Sequence, residues 1–348
     1  MQPPRTTIKD VARACGVSTQ TISRVLNDRV DVSPATREKV LAVIDQMGYL
    51  PSAYARGMRR QSTTLGVVLA GLQHKGVSTT LKGITLEAQN LGLDLILKEL
   101  PSFEATDMNS LIRALMTQQV MGIIYAVPEV GDNWALVRES IPQHCPPIVY
   151  LKGNPSSAPL TISFDNYQGA YLVTSHLIEQ GYRNIGHISG PLDWFESRER
   201  RRGWCQALLD AGRTVSDNRM QEGSWDTASG YVACARLLSS CPDMDAVFVA
   251  NDQMALAVLS GAWQQGLKVP EQLGVAGFDG ISESAYFIPS LTTVKQDFRG
   301  LGALAVRKIK QLQEPEVSSA RVGSDTTILT PELIVRSSTQ RSQSVSTL

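Results

Sequence analysis

The sequence predicts a small all-α head joined to a larger α/β core, in which two doubly wound lobes each contain a parallel sheet. Apolar residues follow helical spacing in the N-terminal segment, whereas strand-like apolar runs alternate with helical segments from Leu65 onward. The chain has 348 residues, which is too many for one compact core and suits two or three domains.

The N-terminal segment is basic although the whole chain carries no net charge. Residues 1–62 contain ten of the 33 Lys and Arg residues but five of the 33 Asp and Glu residues. That segment is therefore +5 and the remainder of the chain is −5. A basic head on an acidic body is expected when only the head contacts nucleic-acid phosphates.

The spacing of apolar residues between positions 6 and 27 predicts two short helices joined by a tight turn. Thr6 or Thr7 begins the first helix as its N-cap, Gly16 ends it, and Ser18 caps the second helix. The side chains expected at or near the buried face are Ile8, Val11, Ala12, Ala14, Ile22, Val25 and Leu26. Periodicity alone also fits an ordinary helical hairpin.

The second helix presents polar side chains outward near its start, namely Thr19, Gln20, Ser23 and Arg24. A helix-turn-helix uses such residues to contact base edges in the major groove, with Gln suited to adenine and Arg to guanine. The segment TTIKDVARACGVSTQTISRVLN closely resembles the DNA-binding signature of the LacI/GalR family of bacterial transcription regulators. Its visible departure is Cys15, where that pattern more often has alanine. The resemblance extends over nearly the whole chain.

A third helix is expected to begin with Ser33 as N-cap and Pro34 at its first position, which completes a helix-turn-helix head over residues 1–50. Its apolar stripe comprises Val40, Val43, Ile44 and Met47, and Gly48 stops it. The family resemblance implies that residues 51–63 form a hinge helix in the minor groove of operator DNA, where Met58 wedges between base steps. The same composition also fits a basic flexible linker.

The resemblance also implies a set of DNA contacts and a double-stranded operator as partner. Gln20 and Arg24 are expected to recognise bases, and Arg29, Arg56 and Arg59 to contact mainly phosphates. The full expected set is Thr7, Ser18, Thr19, Gln20, Thr21, Ser23, Arg24, Asn27, Arg29, Tyr49, Ala55, Arg56, Met58 and Arg59. The protein is expected to bind a pseudo-palindromic operator as a homodimer.

Strand-like runs in the core form two series. The first comprises residues 65–71, 93–100, 121–128 and 147–153, and the second comprises 160–166, 184–190, 246–251 and 273–280. Such series predict two doubly wound lobes with a cleft between them. The family fold resembles periplasmic sugar-binding proteins, in which the chain crosses between lobes three times. On that pattern the crossings fall near residues 161–163, 291–293 and 322–327. The first lobe then comprises residues 64–162 and 294–321, and the second comprises residues 163–293 and 322–340. A polar tail follows at residues 341–348.

Four residues that follow predicted strands of the second lobe are candidate ligand-binding residues: Arg200, Trp225, Asn251 and Asp279. Each matches a position that lines the effector pocket in sugar-responsive members of the family. Guanidinium, carboxylate and amide groups bind hydroxyls, and an indole stacks on the apolar face of a sugar ring. Other interpretations remain open: Asn251 as a helix cap, Asp279 as a turn residue, Arg200 on a solvated helix face, and Trp225 in a core.

Further candidates for the effector pocket come from the first lobe and the crossings. They are Ala70, His74, Phe164, Trp194 and Gln296, with Gly76 and Val77 beside His74. Lys152 departs from the family pattern, in which an aspartate often follows this strand. It is expected to pair with Asp279 beside a neutral sugar, or to favour an effector that carries a carboxylate or phosphate.

No catalytic, metal or cofactor motif accompanies these candidates. The four histidines lack metal-ligand spacing, and Gly300–Ala305 resembles a dinucleotide loop but lies inside a helical pattern. The five cysteines form no paired framework, and no apolar run reaches membrane-spanning length, so a cytoplasmic protein is expected. The sequence thus predicts a ligand-controlled transcription regulator, a repressor and not an enzyme. The alternatives are a sugar-binding receptor module without DNA function and a carbohydrate enzyme on the same fold.

Overall fold

A computed structural model describes residues 7–26, 32–47, 62–103, 108–314 and 325–341. The head contains three helices, α1 (Ile8–Cys15), α2 (Thr19–Leu26) and α3 (Pro34–Gln46). Thr7 caps α1 and forms a reciprocal capping box with Asp10, and Gly16 ends the helix with a φ of 66°.

The three head helices share one small apolar core. Val11, Cys15, Ile22, Val25 and Val40 are buried there, so Cys15 packs as a small hydrophobic residue. The Ser18 hydroxyl accepts a hydrogen bond from the Thr21 amide at 3.0 Å, and the Ser33 hydroxyl caps α3 in the same way at 3.3 Å. Ala14, which was expected near the buried face, is exposed.

The first lobe is built on a six-stranded parallel sheet in the order β11-β5-β4-β3-β1-β2. Its strands are β1 (Thr64–Ala70), β2 (Asp94–Leu100), β3 (Gly122–Ala126), β4 (Ile148–Leu151), β5 (Leu160–Phe164) and β11 (Asp325–Leu329). Its helices are α4 (Lys75–Asn90), α5 (Met108–Thr117), α6 (Asn133–Glu139) and α11 (Phe298–Gln311). Both faces of the sheet are covered, which explains the apolar runs in its central strands.

The second lobe repeats this design with the strand order β12-β10-β9-β8-β6-β7, in which only β12 is antiparallel to its neighbour. Its strands are β6 (Ile185–Ser189), β7 (Met220–Glu222), β8 (Ala246–Val249), β9 (Gly274–Asp279), β10 (Thr292–Lys295) and β12 (Glu332–Ile334). Its helices are α7 (Asn166–Glu179), α8 (Phe195–Asp210), α9 (Thr227–Ser240) and α10 (Asp252–Gln264). A 3-10 helix (Ser282–Tyr286) follows β9.

The chain crosses between the lobes a few residues later than the sequence predicts. Strand β5, expected to open the second series, pairs with β4 and with β11 in the first sheet, so the first crossing follows Phe164. The second crossing lies between β10 and α11, and the third between β11 and β12. Residues 325–329 therefore belong to the first lobe and not to the second, because their backbone hydrogen bonds go to β5.

Candidate ligand site between the two lobes

A cavity of about 50 Å³ lies between the lobes, where the carboxyl ends of strands from both sheets meet. The first lobe contributes residues after β1 and β4, and the second contributes residues that follow β6, β7, β8 and β9. The lining residues are His74, Lys75, Gly76, Val77, Lys152, Trp194, Glu196, Arg200, Trp225, Asn251, Gln253, Asp279 and Phe298.

Arg200 of α8 is buried and lines the cavity from the second lobe; the lining residues of that lobe are called the wall. Its Nε donates to Asn166 Oδ1 at 2.8 Å, and its Nη2 donates to Gln296 Oε1 at 3.2 Å. Its Nη1 donates to the Ala250 carbonyl and lies 3.4 Å from Asp279 Oδ1. Four of the five guanidinium N–H donors therefore have protein acceptors, and one donor remains for a ligand. The group also stacks over Phe278, with 3.9 Å from its carbon to the ring centroid.

Asn251 is both a helix cap and part of the wall. Its side-chain oxygen accepts a hydrogen bond from the Met254 amide at 2.9 Å, which caps α10. Its amide nitrogen donates to the Trp225 carbonyl, also at 2.9 Å. This bond stabilises Trp225 at a φ of 71°, where the indole lies directly against Gly190. The absence of a side chain at position 190 thus makes room for the indole.

Asp279 is the last residue of β9 and has a φ of 95°, and its carboxylate faces Arg200. Burial raises the pKa of Asp279, and the Arg200 charge partly offsets that rise. Asp252 lies behind it, where its carboxylate accepts hydrogen bonds from the Thr293 hydroxyl at 2.6 Å and the Ile281 amide at 2.9 Å. Burial raises the pKa of Asp252 to about 8.

Lys152 does not form the expected ion pair with Asp279, because Asp279 is bonded to Arg200 instead. Within the described residues the Lys152 ammonium has no carboxylate within 4 Å, and it lies 5.9 Å from the Phe298 ring centroid. Burial lowers the pKa of Lys152, and Glu196 is the charge that most opposes this shift, ahead of Asp279. Glu196, which the sequence did not single out, is therefore the main counter-charge of Lys152.

Trp194 connects the two lobes at the mouth of the cavity. Its ring centroid lies 5.6 Å from that of His74, 4.8 Å from Phe103 and 5.4 Å from Trp225. Next to it, the Phe195 amide donates to the Glu129 carbonyl at 3.0 Å, and Lys75 donates to Glu283 at 2.9 Å. The lobes are thus in direct contact at the mouth of the cavity.

Most of the predicted effector residues lie together at this cavity. His74, Lys152, Trp194, Arg200, Trp225, Asn251 and Asp279 line it. Three others lie behind the lining residues: Ala70 is buried in the first-lobe core, the Phe164 ring stacks edge-on against Phe298, and Gln296 holds Arg200. Their expected role in ligand contact remains a prediction.

Four lining residues were not predicted: Lys75, Glu196, Gln253 and Phe298. Glu196 lies one helical turn before Arg200 on α8, and this i, i+4 spacing was a usable signal. Gln253 follows the Asn251 cap by two residues, and Phe298 follows Gln296 by the same interval. Lys75 carries no such signal, because it is the first residue of an otherwise ordinary helix.

The predicted DNA-contacting residues fall into two groups. On the described head, Thr19, Gln20 and Arg24 are exposed on α2, and Ser23 belongs to the same helix. Thr7, Ser18 and Thr21 take part in the capping of α1 and α2. The other predicted contacts, Asn27, Arg29, Tyr49, Ala55, Arg56, Met58 and Arg59, and the hinge segment up to residue 61 lie outside the described residues.

The described part of the chain contains neither a cluster of metal-ligand side chains nor a membrane-spanning helix. No three His, Cys, Asp or Glu side chains there lie close enough to hold a metal ion. No helix in the same part combines the length and the apolar character that crossing a membrane requires.

Two family models match the chain. Residues 7–52 match bacterial regulatory proteins of the lacI family, and residues 174–339 match a periplasmic binding protein-like domain. The PurR transcriptional repressor of Photobacterium profundum is 33% identical over 95% of this chain and 98% of its own length. The lactose operon repressor of Escherichia coli is 32% identical over 88% of this chain and 85% of its own length.

Solved structures agree with these matches. The Lac repressor dimer bound to operator and the anti-inducer ONPF aligns with a TM-score of 0.73 and 30% identity, over 97% of this chain and all of that chain. A complex of the transcriptional regulator CelR with cellobiose aligns with a TM-score of 0.70 and 29% identity, over 96% of this chain and all of that chain. This chain belongs to the LacI family of bacterial regulatory proteins.

Proposed function

We propose that this protein is a transcription repressor that binds double-stranded operator DNA as a homodimer in the bacterial cytoplasm. The observation that carries the proposal is the capped α1–α2 pair, which exposes Thr19 and Gln20 at the start of α2 and Arg24 in its last turn. Side chains at the N-terminal end of a recognition helix are the ones that reach base edges. The similarity to PurR and to the lactose operon repressor extends beyond the head to nearly the whole chain.

The proposed effector is a sugar or a sugar derivative, bound in the cavity between the lobes. Two tryptophans offer stacking surfaces, and Arg200, Asn251 and Asp279 offer donors and acceptors for hydroxyl groups. The relative solved with cellobiose supports this ligand class. The cleft binds the effector without chemical turnover.

The effector acts on DNA affinity through the relative position of the two lobes. The cavity of about 50 Å³ is smaller than the several hundred Å³ of ordinary ligand pockets, so the lobes or the lining side chains move when the effector binds. Such movement changes the placement of the two heads of a dimer. A coupling of about 1–3 kcal/mol between the sites is enough to switch operator occupancy.

The test is selection of genomic fragments by the full-length protein, followed by a mobility-shift titration. We expect one or a few palindromic sites to bind at least a thousandfold more tightly than random DNA. The Gln20→Ala/Arg24→Ala variant should lose that preference while it remains folded. Binding without sequence preference by the wild type would contradict a repressor, and absence of DNA binding would favour the receptor module without DNA function.

A further inference from the structure

Lys152 and Glu196 are two buried opposite charges that face the same cavity from different lobes. Lys152 follows β4 of the first lobe and is 3% exposed, whereas Glu196 lies in the first turn of α8 in the second lobe and is 8% exposed. Across the described residues, neither side-chain charge has a hydrogen-bond partner or an oppositely charged atom within 4 Å. Buried charges normally have partners, so we expect a ligand to supply the partners that Lys152 and Glu196 lack.

The charged side chains that line the cavity balance once the partner of Lys75 is included. Lys152 and Arg200 supply two positive charges, and Glu196 and Asp279 supply two negative charges. The third lining cation, Lys75, is neutralised by its ion pair with Glu283. The pKa of His74 is lowered by burial and by Lys152, so its ring is neutral near pH 7. Burial lowers the pKa of Lys152 and raises the pKa of Glu196, and transfer of a proton between them leaves the sum unchanged. A charged ligand would leave one buried charge without compensation, whereas an uncharged ligand would not.

Hydroxyl groups match the two unpaired side chains. An ammonium only donates hydrogen bonds and a carboxylate only accepts them, whereas a hydroxyl does both. One ligand hydroxyl can accept from Lys152 while another donates to Glu196. The indoles of Trp194 and Trp225 lie beside this pair and suit the apolar face of a ring.

We propose that Lys152 and Glu196 form a cross-lobe pair that selects an uncharged, hydroxyl-rich ring as effector, with each side chain binding a hydroxyl from its own lobe. This assignment rests on the proposed sugar effector and specifies its charge. Because the two side chains come from different lobes, one ligand contacts both only when the lobes lie at a suitable separation. The effector therefore favours that relative position of the lobes over others.

The experiment is calorimetry of the full-length protein with matched sugars. The probes are glucose and cellobiose, each with its acid and its amino-sugar counterpart. We expect the wild type to bind a neutral member at least tenfold more tightly than both charged counterparts. The Lys152→Met variant should shift relative affinity at least tenfold toward the amino sugar, and the Glu196→Gln variant should shift it equally toward the acid.

Two further variants make the comparison specific. The double variant Lys152→Met/Glu196→Gln leaves no uncompensated charge, so it should again prefer the neutral sugar, with lower affinity than the wild type. This variant keeps the test valid if one of the single variants fails to fold. Glu199→Gln changes the same charge on the same helix, at a residue paired with Arg202 and outside the cavity lining, and it should not alter the preference.

Each contrary outcome has its own meaning. Tighter wild-type binding of an acid or an amino sugar would overturn the pair as a selector of uncharged ligands. Single variants that keep the wild-type preference would overturn this inference and leave the proposed sugar effector intact. If the wild type binds no sugar of the panel, the sugar effector fails together with this inference, while the DNA selection still tests the repressor.

Discussion

Arg200 and Asp279 form an ion pair between α8 and the end of β9, with 3.4 Å from Nη1 to Oδ1 and side chains that are 5% and 13% exposed. The same guanidinium also holds Asn166 and Gln296, which lie at the first and second crossings between the lobes. Arg200 therefore joins the lining of the cavity to two of the connections between the lobes.

The Arg200→Lys variant should lower the free energy of unfolding by about 2–4 kcal/mol. Arg200 reaches four acceptors through three nitrogens, whereas a lysine carries three donors on a single nitrogen and leaves some of these acceptors unpaired. The measurement is urea denaturation followed by circular dichroism. Arg201→Lys is the matched control, since Arg201 lies on the same helix and pairs with Asp217 at the surface. Its effect should remain below about 1 kcal/mol, and equal losses for the two variants would contradict the anchoring role of Arg200.

Local signals in the sequence were enough to predict the helix ends and most strands. Helix capping involves residues that are close in sequence, so its pattern is visible without a structure. The residues concerned are Thr7, Ser18, Ser33 and Pro34. The same holds for the polar residues after strands, because the carboxyl edge of a parallel sheet collects them. Arg200, Trp225, Asn251 and Asp279 were found by this reasoning together with the family resemblance.

The features that were missed depend on contacts between distant segments. Strand β5 belongs to the first sheet because Leu160 pairs with Asp325, far along the chain. The pairing of Asp279 with Arg200 and not Lys152 depends on how α8 packs against α7 and β6, which places Arg200 beside the end of β9. Glu196 faces the cavity because of the same packing, and its own local sequence is a charge run typical of a solvated helix face.

The Arg24→Ala variant should weaken binding to the selected operator by about 1–3 kcal/mol and relax the preference at one base position. Arg24 is exposed on α2, where side chains reach the major groove. Mobility shifts with operators that vary at single positions measure both effects. Arg29→Ala is the comparison: as a predicted phosphate contact it should weaken specific and random DNA alike. A uniform loss for Arg24→Ala would contradict its predicted role in base recognition.

Asp252 should make the stability of the protein fall as pH rises from about 6.5 to about 8. At lower pH the buried His187, whose pKa is lowered to about 3, has the opposite effect, because the unfolded state gains a histidine proton below about 6.5. The pKa of Asp252 is raised to about 8 by burial, so the folded state keeps a proton that the unfolded state releases near pH 4. Below pH 4 the Asp252 carboxyl is protonated in both states, and between about pH 4 and pH 8 its own contribution to the unfolding free energy declines by up to about 1.4 kcal/mol per pH unit. Scanning calorimetry between about pH 6.5 and about pH 8 measures the slope.

The Asp252→Asn variant should flatten that slope while it keeps an acceptor for Thr293. The slope should not vanish, because burial also raises the pKa of Glu196 and of Asp279 in the folded state. Asp94→Asn, at an exposed position where β2 begins, should leave the slope as it is in the wild type. A wild-type slope in Asp252→Asn would show that Asp252 does not carry the extra proton.

The Lys75–Glu283 pair should control closure of the cleft more than global stability. It joins α4 of the first lobe to the 3-10 helix of the second, and both side chains are about half exposed, so it contributes less than about 1 kcal/mol to folding. The hydrogen bond from Lys75 lowers the pKa of Glu283 to about 2. The contribution is therefore present above the ordinary carboxyl pKa and is lost only as pH falls toward 2.

The Lys75→Met variant should enlarge the radius of gyration of the effector-free protein in small-angle scattering, because the lobes lose a contact at the mouth of the cleft. High salt should produce the same change in the wild type, since it screens exposed pairs. Arg307→Met is the matched control: the Arg307–Glu87 bond has the same length of 2.9 Å but lies within the first lobe. If Arg307→Met expands the protein as much as Lys75→Met does, the expansion reflects general loosening and not opening between the lobes.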